Sequence, residues 1–428
     1  MLTHLSIENF KSLKNLSMDF GDINILIGPN NSGKTSLLQT LALLKQSVNG
    51  FALNGKMAKL GTFKDAVYAH DLNKEMIVSF SFALRGQHIF DLRDFSQDFS
   101  SFEMRAFSCR VVISSLPDGT AYVSESLILT SSGKLVAAFS SGDEVGRYPL
   151  PEGFSNVRFD LRGFIPFPSA GETGRIRFLE TIARSIVFEF GDYLQYVSSR
   201  RGCEDRAEAV DSRYKGRPDS VGIYGENTIP VLAHIRDDEN YSEAMGRIQF
   251  WLEQFGLAAF VPKFSEGPTY SLEARNKQTG IQSNILDVGF GLNQLIPIIV
   301  QSFYATKGSL IMMEQPEAHL HPQAQAKVAD FLVDVVKYGN RVLVETHSEH
   351  LLLRLQRRIA EKEIDSKKVR VHYFESDAEG TKMTDMVLDE KGYFKEPLPK
   401  GFFEEGFSEA LAHLKAAGAS SDRIERGN

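Results

Sequence analysis

The sequence is poor in cysteine: only Cys109 and Cys203 occur in 428 residues, too few for a disulfide framework, so a reducing cytoplasm is the expected compartment. Long hydrophobic runs are absent as well. No apolar stretch reaches the ~18–20 residues that cross a bilayer, and no charged segment leading into an apolar one opens the chain. A membrane role is therefore not expected. Positive charge is not in excess either. The net charge of −7 excludes a surface coated with basic residues for indiscriminate nucleic-acid binding, while leaving room for a local basic groove. Internal repeats, low-complexity tracts and sustained heptads are missing, which excludes solenoids and a long coiled-coil arm. What is present is a globular composition, 42% apolar, 24% charged and 11% aromatic, with ample length for a large core.

Against this background residues 28–35 stand out. They read Gly-Pro-Asn-Asn-Ser-Gly-Lys-Thr, a complete phosphate-binding loop of the form G-x-x-x-x-G-K-[ST]. The apolar run Ile23–Ile27 precedes it and the helix-like Ser36–Leu44 follows, which is the strand–loop–helix context the chemistry requires. Gly28 and Gly33 permit a tight turn over Pro29, Asn30, Asn31 and Ser32 whose backbone N–H groups, from Asn30 to Ser36, can converge on phosphate oxygens. Lys34 supplies a point charge to the β- and γ-phosphates, and the Thr35 hydroxyl can ligate Mg²⁺. The expected ligand is a nucleoside triphosphate, with Mg²⁺.

Three further blocks carry chemistry. The apolar run Ser309–Met313 ends in Glu314, followed by Gln315, Pro316 and Glu317; an acid ending a buried strand near a phosphate loop is where Mg²⁺ is held in phosphate-loop ATPases. His319 and His321 lack the further ligands of a zinc site, so packing or interface roles are expected for them. A second apolar strand, Arg341–Glu345, leads to His347, placed to reach a γ-phosphate, and to Ser348, a helix-capping residue. Finally, Asp287–Gln294 contains Gly289 and Gly291 ahead of the apolar Leu295–Val300, two glycines that can build an anion-binding helix N-terminus.

Periodicity places these blocks on a fold. Residues 2–8 alternate like an edge strand. Gln323–Lys337 and Glu349–Ala360 read as helices and Lys368–Phe374 as a strand. Alternating strands and helices imply an α/β, doubly wound, mainly parallel sheet. Between them residues 75–140 look β-rich, while 175–200 and 240–256 look helical. The chain is accordingly divided into an N-terminal ATPase lobe (1–165), a mainly helical insertion (166–280) and a C-terminal ATPase lobe (281–428).

Taken in order, the four blocks resemble the ABC-type ATPase heads of the RecF/SMC/OLD kind, and more narrowly the bacterial AAA family ATPases that end in a DUF3696 segment. The closing stretch Gly392–Glu405 is similar to that segment, and Tyr196–Gly202 looks like a family loop. The resemblance covers about residues 1–45 and 280–410. It implies an ABC-type head with a mainly parallel sheet, an antiparallel β-subdomain and a helical insertion. By position it implies that Gly28–Thr35 is the Walker A loop and Glu314 the Walker B acid. Val288–Gln294 would be a signature motif, with Gly289, Gly291 and Gln294 offered to a partner's nucleotide, and His347 the switch histidine. Gln315 departs from the usual pattern, which has a carboxylate there. A glutamine can orient water but cannot take its proton, so turnover is expected to be slow unless Glu317 or another group substitutes.

Because signature and phosphate loop lie on different faces of such a head, the resemblance implies a homodimer with ATP sandwiched between copies. Two outputs stay open. One is control of a separate effector, a nuclease or toxin, in anti-phage systems resembling Septu or PARIS. The other is DNA binding in repair or maintenance, as in RecF. The basic stretches Arg200, Arg201 and Arg206, Arg213, Lys215 and Arg217, and Arg354, Arg357 and Arg358 read either as solvated surface charge or as such a groove.

Overall fold

The computed structural model describes residues 1–85, 106–141, 157–170, 173–203, 208–209, 218–265, 269–277 and 279–397. Arg206, Arg213, Lys215, Arg217 and the stretch 398–405 lie outside the described residues.

Two sheets of contrasting character organise the chain. The first is antiparallel, in the order β2 (Leu13–Asp19), β1 (Leu2–Phe10), β4 (Met76–Ala83), β5 (Ala106–Ser115), β6 (Ala121–Thr130) and β7 (Leu135–Ser140). β4 alternates strictly between buried and half-buried positions, as expected where one face packs and the other meets solvent. β1 is not the edge strand its alternation predicted: it lies between β2 and β4, paired antiparallel with both. One-face burial produces the same alternation at the edge and in the interior of an antiparallel sheet.

The second sheet runs β10 (Leu194–Val197), β15 (Leu310–Glu314), β16 (Arg341–Glu345), β3 (Ile23–Ile27), β17 (Val369–Asp377) and β18 (Gly380–Met386). The first five are parallel and β18 returns antiparallel. Every residue of β3, β15 and β16 is buried, as a sheet covered on both faces demands. Alternate side chains of these strands enter different cores. Leu26, Leu310, Met312 and Leu343 join the core shared with the antiparallel sheet. Ile23, Ile25, Ile27, Ile311, Met313, Val342 and Val344 join a second core with the helices Phe290–Tyr304, Pro322–Tyr338 and Glu349–Ala360. Asn24, polar yet buried in β3, is satisfied: its side chain accepts from Gly21 N at 2.7 Å and donates to Val342 O at 2.9 Å.

The doubly wound, mainly parallel sheet, the antiparallel β-subdomain and the helical region expected from the sequence are all present. One boundary differs inside the middle third. The run read as helical over 175–200 is a helix only over Thr173–Gly191; after it comes β10, which extends the parallel sheet beside β15. The remaining strands, β8 (Arg158–Arg162) with β9 (Ile165–Ala170), and β11 (Glu208–Ala209), β12 (Leu257–Ser265), β13 (Thr269–Asn276) and β14 (Gln282–Asn284), form two small antiparallel sheets. Among the described residues no helix is long and apolar enough to cross a membrane.

Candidate functional site

Parallel strands that end together create a crevice at their carboxyl ends, and the candidate site lies there. β3 delivers the loop Gly28–Gly33, and the helix Lys34–Gln46 leaves it. The turn is possible because its glycines take left-handed backbone angles, φ 140° at Gly28 and 98° at Gly33. Space forbids anything larger: a Cβ on Gly28 would lie 2.1 Å from Phe374 O, and one on Gly33 2.5 Å from Thr381 Oγ1. Gly33 caps the helix without a side chain, so the first-turn N–H groups of Lys34, Thr35 and Ser36 have no helical partner. Pro29, Asn30 and Asn31 are exposed, whereas Ser32 is buried. Lys34 is buried too, its Nζ curling back to donate to Gly28 O at 2.9 Å and Pro29 O at 2.6 Å. Burial lowers its pKa, opposed by the charge of Glu345.

Three carboxylates gather beside this loop. Thr35 Oγ1 lies 3.0 and 2.9 Å from the two oxygens of Glu345, the last residue of β16. Glu314, the last residue of β15, is paired in register with Glu345. Its oxygens are already engaged, one accepting from the Tyr196 hydroxyl and the other from Ser199 N at 2.8 Å. Glu317, 5% exposed, accepts from Thr346 Oγ1 at 2.6 Å and His347 N at 3.0 Å through one oxygen, while its other oxygen has no partner. Burial raises the pKa of both Glu345 and Glu317, and in Glu345 the neighbouring Glu314 and Glu317 add to the rise. His347 is held below the usual histidine value by burial and by the charge of Lys34.

The segment that the resemblance reads as a signature motif approaches from the second core. Gly289 caps the helix Phe290–Tyr304, and Gly291 sits so tightly that a Cβ would lie 2.5 Å from His319 O. Phe290 projects into solvent, 62% exposed, with its ring edge-on to His319. His321 accepts from Gln323 N at 3.3 Å as a helix cap, and His319 packs against Phe290. Gln315 takes φ 43°, unusual for a residue with a Cβ, and its N–H donates to Glu345 O at 2.7 Å.

The sequence-predicted residues therefore fall into two groups. Gly28–Ser36, Glu314, Gln315, Glu317 and His347 converge at the strand ends. Gly289, Gly291 and Gln294 stand on the far side of the acid-bearing turn, and among the described residues no hydrogen bond joins them to the phosphate loop. Two residues escaped the sequence reading. Glu345, not Glu314, is the carboxylate that touches Thr35; its signal was its position, an acid ending an apolar strand just as Glu314 does. Arg201, read within a basic stretch, is 5% exposed and lies inside the protein, unlike its neighbour Arg200.

The residues present fit a Mg²⁺-nucleotide. The donor set around Thr35 is all oxygen, and among the described residues no group of His, Cys, Asp and Glu could enclose a metal unaided. An all-oxygen set suits a small hard cation that takes few protein ligands and completes its shell from phosphate and water.

Curated relatives match only locally: an uncharacterized protein of Methanocaldococcus jannaschii is 39% identical over 54 residues, 12% of this chain and 25% of its own length. The DNA replication and repair protein RecF of Lactobacillus acidophilus is 48% identical over 44 residues, 10% of this chain and 12% of its own length. The chain thus spans a quarter or less of the length of the curated relatives it matches. Among solved structures, an SMC head bound to the C-terminal winged-helix domain of ScpA aligns at 14% identity and TM-score 0.47, over 90% of this chain and 98% of that one. The SMC head domain from Thermotoga maritima aligns at 11% identity and TM-score 0.40, over the same shares. The model of the AAA ATPase domain matches residues 1–135 and 232–352, together more than half of the sequence. By that match the chain belongs to the AAA ATPase domain family.

Proposed function

We propose that this chain is a Mg²⁺-dependent ATP-binding ATPase of slow turnover, and that a second copy completes its pocket with the signature segment. The reading rests above all on one contact, the Thr35 hydroxyl on the Glu345 carboxylate with Lys34 beside it. In this reading the N–H groups of Gly33–Ser36 bind phosphate oxygens, Lys34 leaves the carbonyls of Gly28 and Pro29 for the β- and γ-phosphates, and Thr35 and Glu345 hold the metal site with Glu314 behind them. Mg²⁺ would neutralise charge on the transferring phosphoryl group. Gln315 orients the attacking water but cannot accept its proton. Glu317, buried and with one oxygen free, is the group placed to do so. His347 faces the γ-phosphate. Titration with ATP, with and without chelator, tests the reading; affinity indifferent to Mg²⁺ and to Lys34→Ala would refute it. Light scattering with ATP tests the dimer.

A slow ATPase holds its closed state for long, which suits a switch better than a motor. The output we favour is control of a separate effector protein, a nuclease or toxin, in anti-phage defence. A second reading, DNA binding in repair or maintenance, is favoured by the local match to RecF. ATP-dependent duplex binding that weakens steeply with salt would decide for the second.

A further inference from the structure

Arg201 is the least expected side chain near the site. A fully charged guanidinium is costly to bury and is found inside a protein only where its donors are met. Here they are met by main-chain oxygens, not by a carboxylate. Nε donates to Gln294 O at 2.8 Å, Nη1 to Ser198 O at 2.8 Å and Glu314 O at 2.6 Å, and Nη2 to Gln315 O at 2.9 Å. One planar fork thus ties the signature helix, the end of β15 and the turn bearing Gln315 to a single short loop. Burial drops its pKa to about 10, with Glu317 and Glu314 pulling the other way, so it stays charged at neutral pH.

The same loop makes two other attachments. At its start Ser199 N donates to the Glu314 carboxylate, and the hydroxyl of Tyr196, the penultimate residue of β10, donates to the other oxygen. At its end Cys203 is clasped by Asn293 of the signature helix, Oδ1 accepting from Cys203 N at 2.9 Å and Nδ2 donating to Cys203 O at 3.1 Å. Beside it Gln294, 7% exposed, keeps a side-chain oxygen without a partner. A carboxylate at one end and the signature helix at the other are therefore joined by a hydrogen-bonded bridge within one chain.

We propose that the loop Ser198–Cys203, with Arg201 as its positioning residue, transmits the state of the Glu314 strand end to the signature helix Phe290–Tyr304. Any shift of Glu314 or Gln315 on nucleotide binding moves carbonyls that Arg201 holds, and Arg201 holds the carbonyl of Gln294 as well. A lysine would keep the charge but lose the fixed fork, so it could not hold these carbonyls together. The link rests on the nucleotide-site reading above, and its effect on a second copy rests on the composite pocket, but the bridge itself lies in one subunit.

Hydrogen exchange of the amides in 290–304, measured on the full chain with and without Mg²⁺-ATP, tests it. In the wild type ATP should alter exchange at the start of this helix by about fivefold or more. Arg201→Lys should abolish that response, measured well below its lowered melting temperature, while ATP affinity stays unchanged, and kcat should fall with no rise in KM. Asn293→Ala, which loosens the bridge at its other end, should blunt the same response, so the test survives if Arg201→Lys folds poorly. A variant that keeps the wild-type response overturns the proposal, as does a loss explained by equally lowered affinity. A wild type that binds ATP with no change in 290–304 overturns it too. If the wild type responds but stays monomeric, the composite pocket fails and the bridge stands; if it binds no ATP, both fall.

Discussion

The parallel and antiparallel sheets share a core yet do different work. In β3, β15 and β16 no residue is exposed, both faces are packed, and the chemistry is confined to the last residue or the turn beyond it. In β4 and its neighbours half of the positions are only partly buried, and no candidate site residue lies there. Burial on both faces fixes where a strand ends, and a fixed strand end can aim a carboxylate or a phosphate loop. A sheet with one wet face serves as a wall for the core instead.

Substitutions can break this contrast. The largest effect is expected at the strand end: Lys34→Ala removes a charged partner of the phosphates and should weaken ATP binding by about 2–3 kcal/mol, ~30–150-fold, by calorimetry. Gly28→Ala should be of similar severity for binding, because its Cβ would collide with Phe374 O and force the loop away from β17. Within the strands, Leu343→Ala in β16 should cost ~2–5 kcal/mol in urea denaturation. The same truncation of the half-buried Ile77 in β4 should cost less than about 1.5 kcal/mol; equal losses would erase the distinction between the sheets. A gain is expected from Gln315→Glu, which supplies a proton acceptor and should raise ATP turnover; unchanged turnover would assign that task to Glu317. The mildest test is chemical. Cys109 in β5 is fully buried, and burial pushes its thiol up to about 12, so a thiol reagent at pH 8 should leave it unmodified until the protein unfolds.

The same contrast explains what the sequence revealed. The strand Arg341–Glu345 and the helix Glu349–Ala360 were read with their observed bounds, since a continuous apolar run and the capping Ser348, whose Oγ accepts from Leu351 N at 3.1 Å, leave little freedom. The phosphate loop was equally plain, because its glycines answer a local backbone demand. β10 was hidden: with four residues it is too short to show a period, and it follows a genuine helix directly. Glu345 was passed over because its meeting with Thr35 depends on β16 lying beside β3, a pairing across more than three hundred residues. Arg200 and Arg201 look alike in one dimension; only the carbonyls gathered from the signature helix and β15 distinguish an outward charge from an inward one.

The position of β3 has a consequence for synthesis. An early segment of the polypeptide is wedged between β16 and β17, which leave the ribosome hundreds of residues later. Until they arrive, Ile23–Ile27 has neither flanking strand, and the turn at Gly28 has no Phe374 carbonyl to lean on. The nucleotide loop is therefore among the last parts of the molecule to mature. A nascent chain that stops before β17 exposes Ile23–Ile27 as an apolar ribbon without its flanking strands instead of a binding site.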